Sequence, residues 1–276
     1  MDFLQFDDFI RAALREDIGT GDITTESCVP ESARSVGVFV AKADGVICGI
    51  DIAERVFALV DGQIKLVKRV SDGENVKKGD VIAEISGSSR GILTGERVAL
   101  NLLQHLSGVA TAAYHASQAV AGTRAKIVDT RKTTPGMRVL EKYAVRVGGA
   151  SNHRFGLSDG VLIKDNHIKA AGGITQAVTA ARNAAPHTLK IEVECETRDM
   201  VREALECRAE IIMLDNMTNA EMRECVALIA GRALVEASGN MGERDLRAVA
   251  DTGVDFISIG ALTHSVAALD ISLKLE

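Results

Sequence analysis

The 276-residue chain is 46% apolar and carries 32 Lys and Arg against 38 Asp and Glu, a net charge of −6. That length fits one large domain or two modest ones, and the acidic balance with only 3% aromatic residues argues against a general nucleic-acid binder, which needs a basic footprint and stacking rings. The acidic N-terminus and the lack of a membrane-length apolar run argue against a secretory signal or a membrane span, and five cysteines (Cys28, Cys48, Cys195, Cys207, Cys225), odd in number and without a CxxC pair, argue against a disulfide framework or zinc site and make a reducing, cytoplasmic setting the expectation.

In chain order, Phe3, Phe6, Ile10 and Leu14 fall near a 3.6-residue period and predict a helix over 3–16, ended by the turn residues of GTGDITT (19–25). From about 35 to 86 the short runs VGVFVA, IKLVKRV and VIAEI, split by DG and KKGD turns, predict a small β region with one helix near 51–60. VKKGDVIAEI resembles the turn of a biotinyl or lipoyl carrier, but the context of a modifiable lysine is missing. A helix is predicted at 95–106, with Val98, Leu102, Leu103 and Leu106 on its apolar face and Arg97, Asn101 and Gln104 on a polar stripe. Ser107-Gly108 should break it before a second, Ala-rich helix that runs to about 121.

A unit then recurs. KIVD (126–129), VLIK (161–164), KIEVE (190–194), IIMLD (211–215), LVEA (234–237) and FISIG (256–260) read as buried strands, most ending on a polar residue and separated by helical patterns. This is the signature of βα units around a parallel sheet, where active groups gather at the carboxyl ends of the strands. Six units in so short a span are too few for a closed eight-stranded barrel, so an open, incomplete α/β barrel is expected.

Charge is concentrated at the start of that region. From Arg124 to Lys169 there are ten Lys or Arg and four acids, net +6, which leaves −12 on the rest of the chain. The strand ends collect Asp129-Thr130-Arg131-Lys132, Lys164-Asp165-Asn166-His167, Glu194, Asp215-Asn216, Glu236 with Ser238-Gly239-Asn240, and Gly260-Ala261; the loop before the second strand adds Asn152-His153-Arg154. Such a mouth suits a substrate bearing carboxylates and another bearing phosphates with a divalent metal. An Arg fork matches a carboxylate through two charge-assisted bonds. Arg131, Lys132, Arg154 and Lys164 are therefore candidate anion ligands, whereas Lys142, Arg146 and Lys169 read as solvated helix-face charges. Glu194 and Asp215 could hold Mg²⁺ or ribose hydroxyls, or simply form a salt bridge to Lys164 or Arg131. Glu192, on the same strand face as Glu194, reads as structural. The glycines of SGN (238–240) and IGA (259–261) would let backbone N–H groups approach a phosphate.

EDIGTGDITT, GERVALNLLQHLSGVAT, DTRKTTPGMRVLEKYAVRVGG, SNHRFGLSDGVLIKDNHI, IEVE, IIMLDNM, EASGN and ISIGALTHS, in this order over the whole chain, resemble the quinolinate phosphoribosyltransferase family. The departures are GGA before SNHR, where GGG is common, and Met241 after SGN, where an aliphatic is usual. The resemblance implies an α/β sandwich-like N-terminal domain over 1–107, completed by 268–276, and an open α/β barrel over 108–267. It implies transfer of phosphoribosyl from 5-phosphoribosyl-1-pyrophosphate to quinolinate with loss of CO₂, assisted by Mg²⁺. By motif, Thr130, Arg131, His153, Arg154 and Lys164 would line the quinolinate site. Lys132 and Lys164 would face pyrophosphate, and Glu194 and Asp215 would hold ribose hydroxyls and the metal shell, directly or through water. These last four residues are the implied catalytic set. Ser238, Gly239, Asn240, Ile259, Gly260 and Ala261 would cradle the 5-phosphate. Arg97 of GERVALN would come from a neighbouring subunit, making the active unit at least a homodimer.

Two other readings compete: a Schiff-base lyase using Lys164, and a non-catalytic sensor of phosphorylated metabolites. Within the same superfamily, nicotinate phosphoribosyltransferases and a molybdate-operon pyrophosphorylase-like relative share the architecture. Four acceptor-side cations, Arg97, Arg131, Arg154 and Lys164, favour a dicarboxylate over nicotinate. Arg138 has no assigned role.

Overall fold

The computed structural model describes residues 6–276, so positions 3–5 of the first predicted helix, Phe3 among them, lie outside the described residues. The elements begin with α1 (Asp7–Ile18), α2 (Ile23–Cys28), β1 (Arg34–Ala41), β2 (Gly45–Val46), α3 (Ile50–Val60), β3 (Lys65–Lys68), β4 (Asn75–Val76), β5 (Val81–Ser88) and α4 (Ser89–Ala119). They continue with β6 (Lys126–Val128), α5 (Arg138–Val147), β7 (Val161–Ile163), α6 (Asp165–Ala171), α7 (Ile174–Ala184), β8 (Ile191–Cys195), α8 (Arg198–Glu206), β9 (Ile211–Asp215) and α9 (Asn219–Ile229). The last are β10 (Leu234–Ser238), α10 (Leu246–Ala250), β11 (Phe256–Ser258), α11 (Ala261–His264) and β12 (Ile271–Leu275). Among the described residues no helix is long and apolar enough to cross a membrane.

The described residues form two compact units: one of those up to 114 with 139–148 and 266–276, the other of 115–138 and 149–265. The first holds an antiparallel sheet in the order β12-β1-β5-β3, with a small β2-β4 ribbon. The chain's last strand pairs with β1 from Gly37↔Leu275 to Ala41↔Ile271, which joins the terminal residues to this unit. Phe39, Ile52, Val56, Phe57, Ile82 and Ile85 are almost fully buried within it.

Two expectations change here. α4 is one continuous helix of 31 residues, without the expected break at Ser107-Gly108. A side chain at Gly108 would place its Cβ 2.3 Å from the Ala267 carbonyl oxygen, so glycine there permits close backbone approach rather than a turn. Ser107 ties the helix to the β2–α3 connection, since its Oγ accepts from Cys48 N–H at 3.0 Å and donates to Cys48 O at 3.2 Å. The segment 139–148, expected with the barrel, groups with the first unit. Glu141 bonds to His105 Nε2 at 2.9 Å, and Tyr143 donates to Asp72 at 2.8 Å. Lys142, expected on a solvated face, is 2% exposed, because this face of α5 is turned inward with Glu141.

The second unit is a six-stranded, all-parallel sheet in the order β6-β11-β10-β9-β8-β7. Each predicted strand is present, and β6 pairs with β11 rather than β7, so the barrel stays open between β6 and β7. At that open edge Ser151 makes an isolated parallel bridge to Val128. Its N–H donates to Ile127 O at 2.9 Å, and its carbonyl accepts from Asp129 N–H at 3.2 Å. The chain therefore passes alongside β6 just before Asn152, His153 and Arg154, which carries these residues to the strands' carboxyl ends.

Candidate active site

β6 delivers Asp129 to the mouth, but this carboxylate points inward and is fully buried. It accepts from His153 N–H at 2.8 Å and from Asn152 Nδ2 at 2.7 Å. The acid that follows the strand thus fixes the neighbouring loop. Arg138 does related work: Nε donates to Thr133 Oγ1 at 2.9 Å, Nη1 to Phe155 O at 3.3 Å and Nη2 to Arg131 O at 3.4 Å. It ties the 131–133 turn to the 155 loop, so the residue left without a role in sequence is a clamp on two cation-bearing segments.

Those segments, with β7 and β10, line a cavity of about 280 Å³ bounded by Thr130, Arg131, Lys132, His153, Arg154, Lys164, Glu236, Ser238 and Ser258 among others. Arg154 donates to Gly160 O at 3.0 Å, and its guanidinium is held below its ordinary pKa by burial and then by the charge of Arg131. Arg131 Nε is buried without a partner. Two neighbouring guanidiniums with a donor unsatisfied are costly unless an anion joins them. The wall is thus built for a planar anion.

A second cavity of about 490 Å³ adjoins the first, sharing Thr130, Lys132, Lys164, Ser238 and Ser258. It adds Glu194, Asp215, Gly239, Asn240, Gly260 and Ala261. Lys164 Nζ sits 2.6 Å from Glu194 Oε2, so the salt bridge allowed by sequence is present, between groups that both face the cavity. Lys132 is anchored through its backbone: its N–H donates to Thr130 Oγ1 at 3.0 Å and its carbonyl accepts from Thr263 Oγ1 at 2.7 Å. The β10 turn is tight. Gly239 has φ +95°, and a Cβ there would fall 2.3 Å from Asn216 Oδ1; Asn240 follows in the left-handed region at φ +50°. Any side chain at 239 would both strain the backbone and collide.

The structure therefore brings Thr130, Arg131, Lys132, His153, Arg154, Lys164, Glu194, Asp215, Ser238, Gly239, Asn240, Gly260 and Ala261 to one two-lobed site. Ile259 differs: it is 3% exposed, and its N–H donates to Val128 O at 2.9 Å. It supports the turn from the core. Arg97 is an exposed residue of α4 in the first unit. Sequence reading missed Ser258 and His264, which line the second lobe beside Asn216, already noted at its strand end. The alternation in FISIG puts Ser258 on the same face as Phe256, a weak signal; His264 lies beyond the strand end and gave none.

Glu194 and Asp215 are a suitable pair for Mg²⁺. Two carboxylates facing a roomy polar cavity leave positions for phosphate oxygens and water, as this ion prefers.

Residues 22–107 match the family described as quinolinate phosphoribosyl transferase, N-terminal domain, and residues 109–274 match its C-terminal domain. The chain is 46% identical over 275 residues to a probable nicotinate-nucleotide pyrophosphorylase [carboxylating] of Bacillus subtilis, covering 100% of this chain and 95% of that one. It is 45% identical to a nicotinate-nucleotide pyrophosphorylase [carboxylating] of Mycobacterium leprae, covering 97% and 96%. The crystal structure of NadC from Streptococcus pyogenes superposes with a TM-score of 0.94 at 42% identity, covering 100% and 98%.

Proposed function

The chain belongs to the quinolinate phosphoribosyltransferase family, and from that premise we propose how its residues share the reaction. The activity is transfer of phosphoribosyl from 5-phosphoribosyl-1-pyrophosphate to quinolinate with decarboxylation, giving nicotinate mononucleotide, pyrophosphate and CO₂ in NAD biosynthesis. The observation that carries the assignment of roles is the Arg131–Arg154 wall with its unpartnered buried Nε.

Arg131 and Arg154, with Lys164, Thr130 and His153, clamp the two carboxylates of quinolinate and aim its ring nitrogen at C1 of the ribose. Holding the reactants in a near-attack arrangement removes much of the entropic barrier. As pyrophosphate leaves, C1 gains oxocarbenium character. Glu194 and Asp215 oppose that positive charge and hold the ribose hydroxyls, while Lys132 and Lys164 meet the departing anion. Ser238, Gly239, Asn240, Gly260 and Ala261 hold the 5-phosphate, with Ile259 fixing the turn from beneath. Glu194 and Asp215 would also hold Mg²⁺, directly or through water; when bound, the ion neutralises phosphate charge. Attachment of the ribose makes the ring a pyridinium, whose positive nitrogen stabilises the electron pair left on the adjacent ring carbon when CO₂ departs.

Equilibrium binding tests the carboxylate clamp. Quinolinate is expected to bind at least tenfold more tightly than nicotinate, since one further charge-assisted contact contributes roughly 1.5 kcal/mol or more. Equal affinities in a calorimetric titration would show that no such clamp exists.

The active unit is a homodimer or larger assembly, and the exposed Arg97 completes the quinolinate site of a neighbouring subunit. The support is the GERVALN motif shared with the family and the exposure of this side chain. Mixing two inactive variants, Arg97→Ala and Arg131→Ala, should restore about a quarter of the parental activity, because random dimers place one intact site in half of the pairs. A mixture no more active than its components would place Arg97 outside the site. The proposed setting is cytoplasmic; the five cysteines are free thiols.

A further inference from the structure

Decarboxylation leaves a chemical debt. When the bond between the ring carbon and CO₂ breaks, its electron pair stays on that carbon, beside the ribosylated nitrogen. The carbon must take up one proton before the product is nicotinate mononucleotide. The roles given to the groups above are binding, orientation and charge balance, and the delivery of that proton is a further role.

We propose that Glu236 is the acid that protonates this ring carbon, a proposal that rests on the functional reading above. Glu236 is on β10, 3% exposed, and lines the same cavity as Arg131, Arg154 and Lys164. It faces His153 Nε2 at 3.5 Å, and Glu192 of β8 faces the same nitrogen at 3.1 Å. Ligating atoms of the three residues all lie within 4.8 Å of one another. Glu192 Oε1 and Glu236 Oε1 are buried without a hydrogen-bond partner. Glu236, buried in a water-poor interior with a second carboxyl group beside it, is in an environment that favours its protonated form. Burial first, and Glu192 second, push the Glu236 carboxyl upward; His153 and a hydrogen bond with Ser258 oppose this without cancelling it.

The same trio has the donor types of a cation site, but the histidine argues for a proton. Its Nδ1 accepts from Arg154 N–H at 2.7 Å, so the neutral ring carries its hydrogen on Nε2, the atom turned to the carboxylates. A metal would need the lone pair at that atom.

A route for resupply is also present. Glu236, His153 and Arg154 line a further cavity of about 370 Å³ whose wall includes Val161, Ile211 and Phe256, the first residues of β7, β9 and β11. It therefore lies toward the amino ends of the strands, opposite the substrate mouth. Once Glu236 has given its proton to the ring carbon, it becomes a second carboxylate beside Glu192, and because it lines this cavity itself it recovers a proton from water on this side.

The test separates the two halves of the reaction. Single-turnover quench with ring-labelled quinolinate, Mg²⁺ and 5-phosphoribosyl-1-pyrophosphate is run on the parent and on Glu236→Gln. The variant keeps size and polarity but has no acidic proton. Pyrophosphate release should remain near the parental rate, while nicotinate mononucleotide formation falls about a hundredfold, the usual contribution of a general acid. Quinolinate mononucleotide should accumulate. Glu236→Asp should recover part of the lost product formation. Both products forming at parental rates in Glu236→Gln, or both falling together, would overturn the proposal. Should neither variant fold, the parent decides the matter: nicotinate mononucleotide formation should slow more in D₂O than pyrophosphate release, and equal slowing overturns it. Absence of nicotinate mononucleotide from the parent itself would refute the functional reading instead.

Discussion

Arg131→Ala should lose at least a hundredfold in kcat/KM for quinolinate while the protein melts within a few degrees of the parent. The two effects separate because of where this side chain sits. Arg131 is half-buried, its Nε has no partner, and its charge disfavours the neighbouring Arg154 guanidinium. Removing it relieves like-charge repulsion and leaves no protein group newly orphaned. What is lost is the planar fork on the substrate carboxylate, two charge-assisted bonds of roughly 1.5–3 kcal/mol each. At about 1.4 kcal/mol per factor of ten, the loss is between a hundredfold and ten-thousandfold. Arg131→Lys should recover little, since an ammonium supplies charge without the fork. Steady-state kinetics beside a thermal melt checks both halves. A variant that unfolds would make Arg131 a structural residue.

Asp129→Ala should do the reverse, with the largest expected loss of stability in the barrel unit. Asp129 is fully buried and accepts from His153 N–H and Asn152 Nδ2. Truncation leaves two donors without their acceptor at the open edge of the sheet, at roughly 1–3 kcal/mol each. A drop in melting temperature of about 5–15 °C follows for a chain of this size. Activity should fall as well, because the same bonds hold the loop bearing His153 and Arg154. An unchanged melting temperature would show that the Ser151 bridge alone holds this loop.

The contrast between these neighbours shows what could be read from sequence. The six parallel strands were legible because strands buried on both faces must be apolar runs, and because their polar ends recur. KIVD, IIMLD and FISIG match β6, β9 and β11 within two residues at either end. The cations of DTRK and SNHR were legible as anion ligands because so many in one place call for a counter-charge. Their division of labour was not. Asp129 and Glu194 both read as acids at strand ends, yet one turns inward to hold a loop while the other faces the cavity beside Lys164. A one-dimensional pattern gives the face of a strand, not the depth of the atom or the partner across the barrel. Gly108 misleads for the same reason: it is glycine because of the backbone near Ala267, far along the chain. Glu192 and Glu236 show the limit most clearly, since only the closing of β8 and β10 around His153 makes them a cluster.

The central claim is that the acceptor lobe is built for a dicarboxylate and the adjoining lobe for a phosphoribosyl donor. The direct measurement is to incubate the purified protein with Mg²⁺ and 5-phosphoribosyl-1-pyrophosphate, adding quinolinate in one reaction and nicotinate in another. CO₂ and nicotinate mononucleotide should appear with quinolinate and not with nicotinate. Turnover of nicotinate at a comparable rate would contradict the claim.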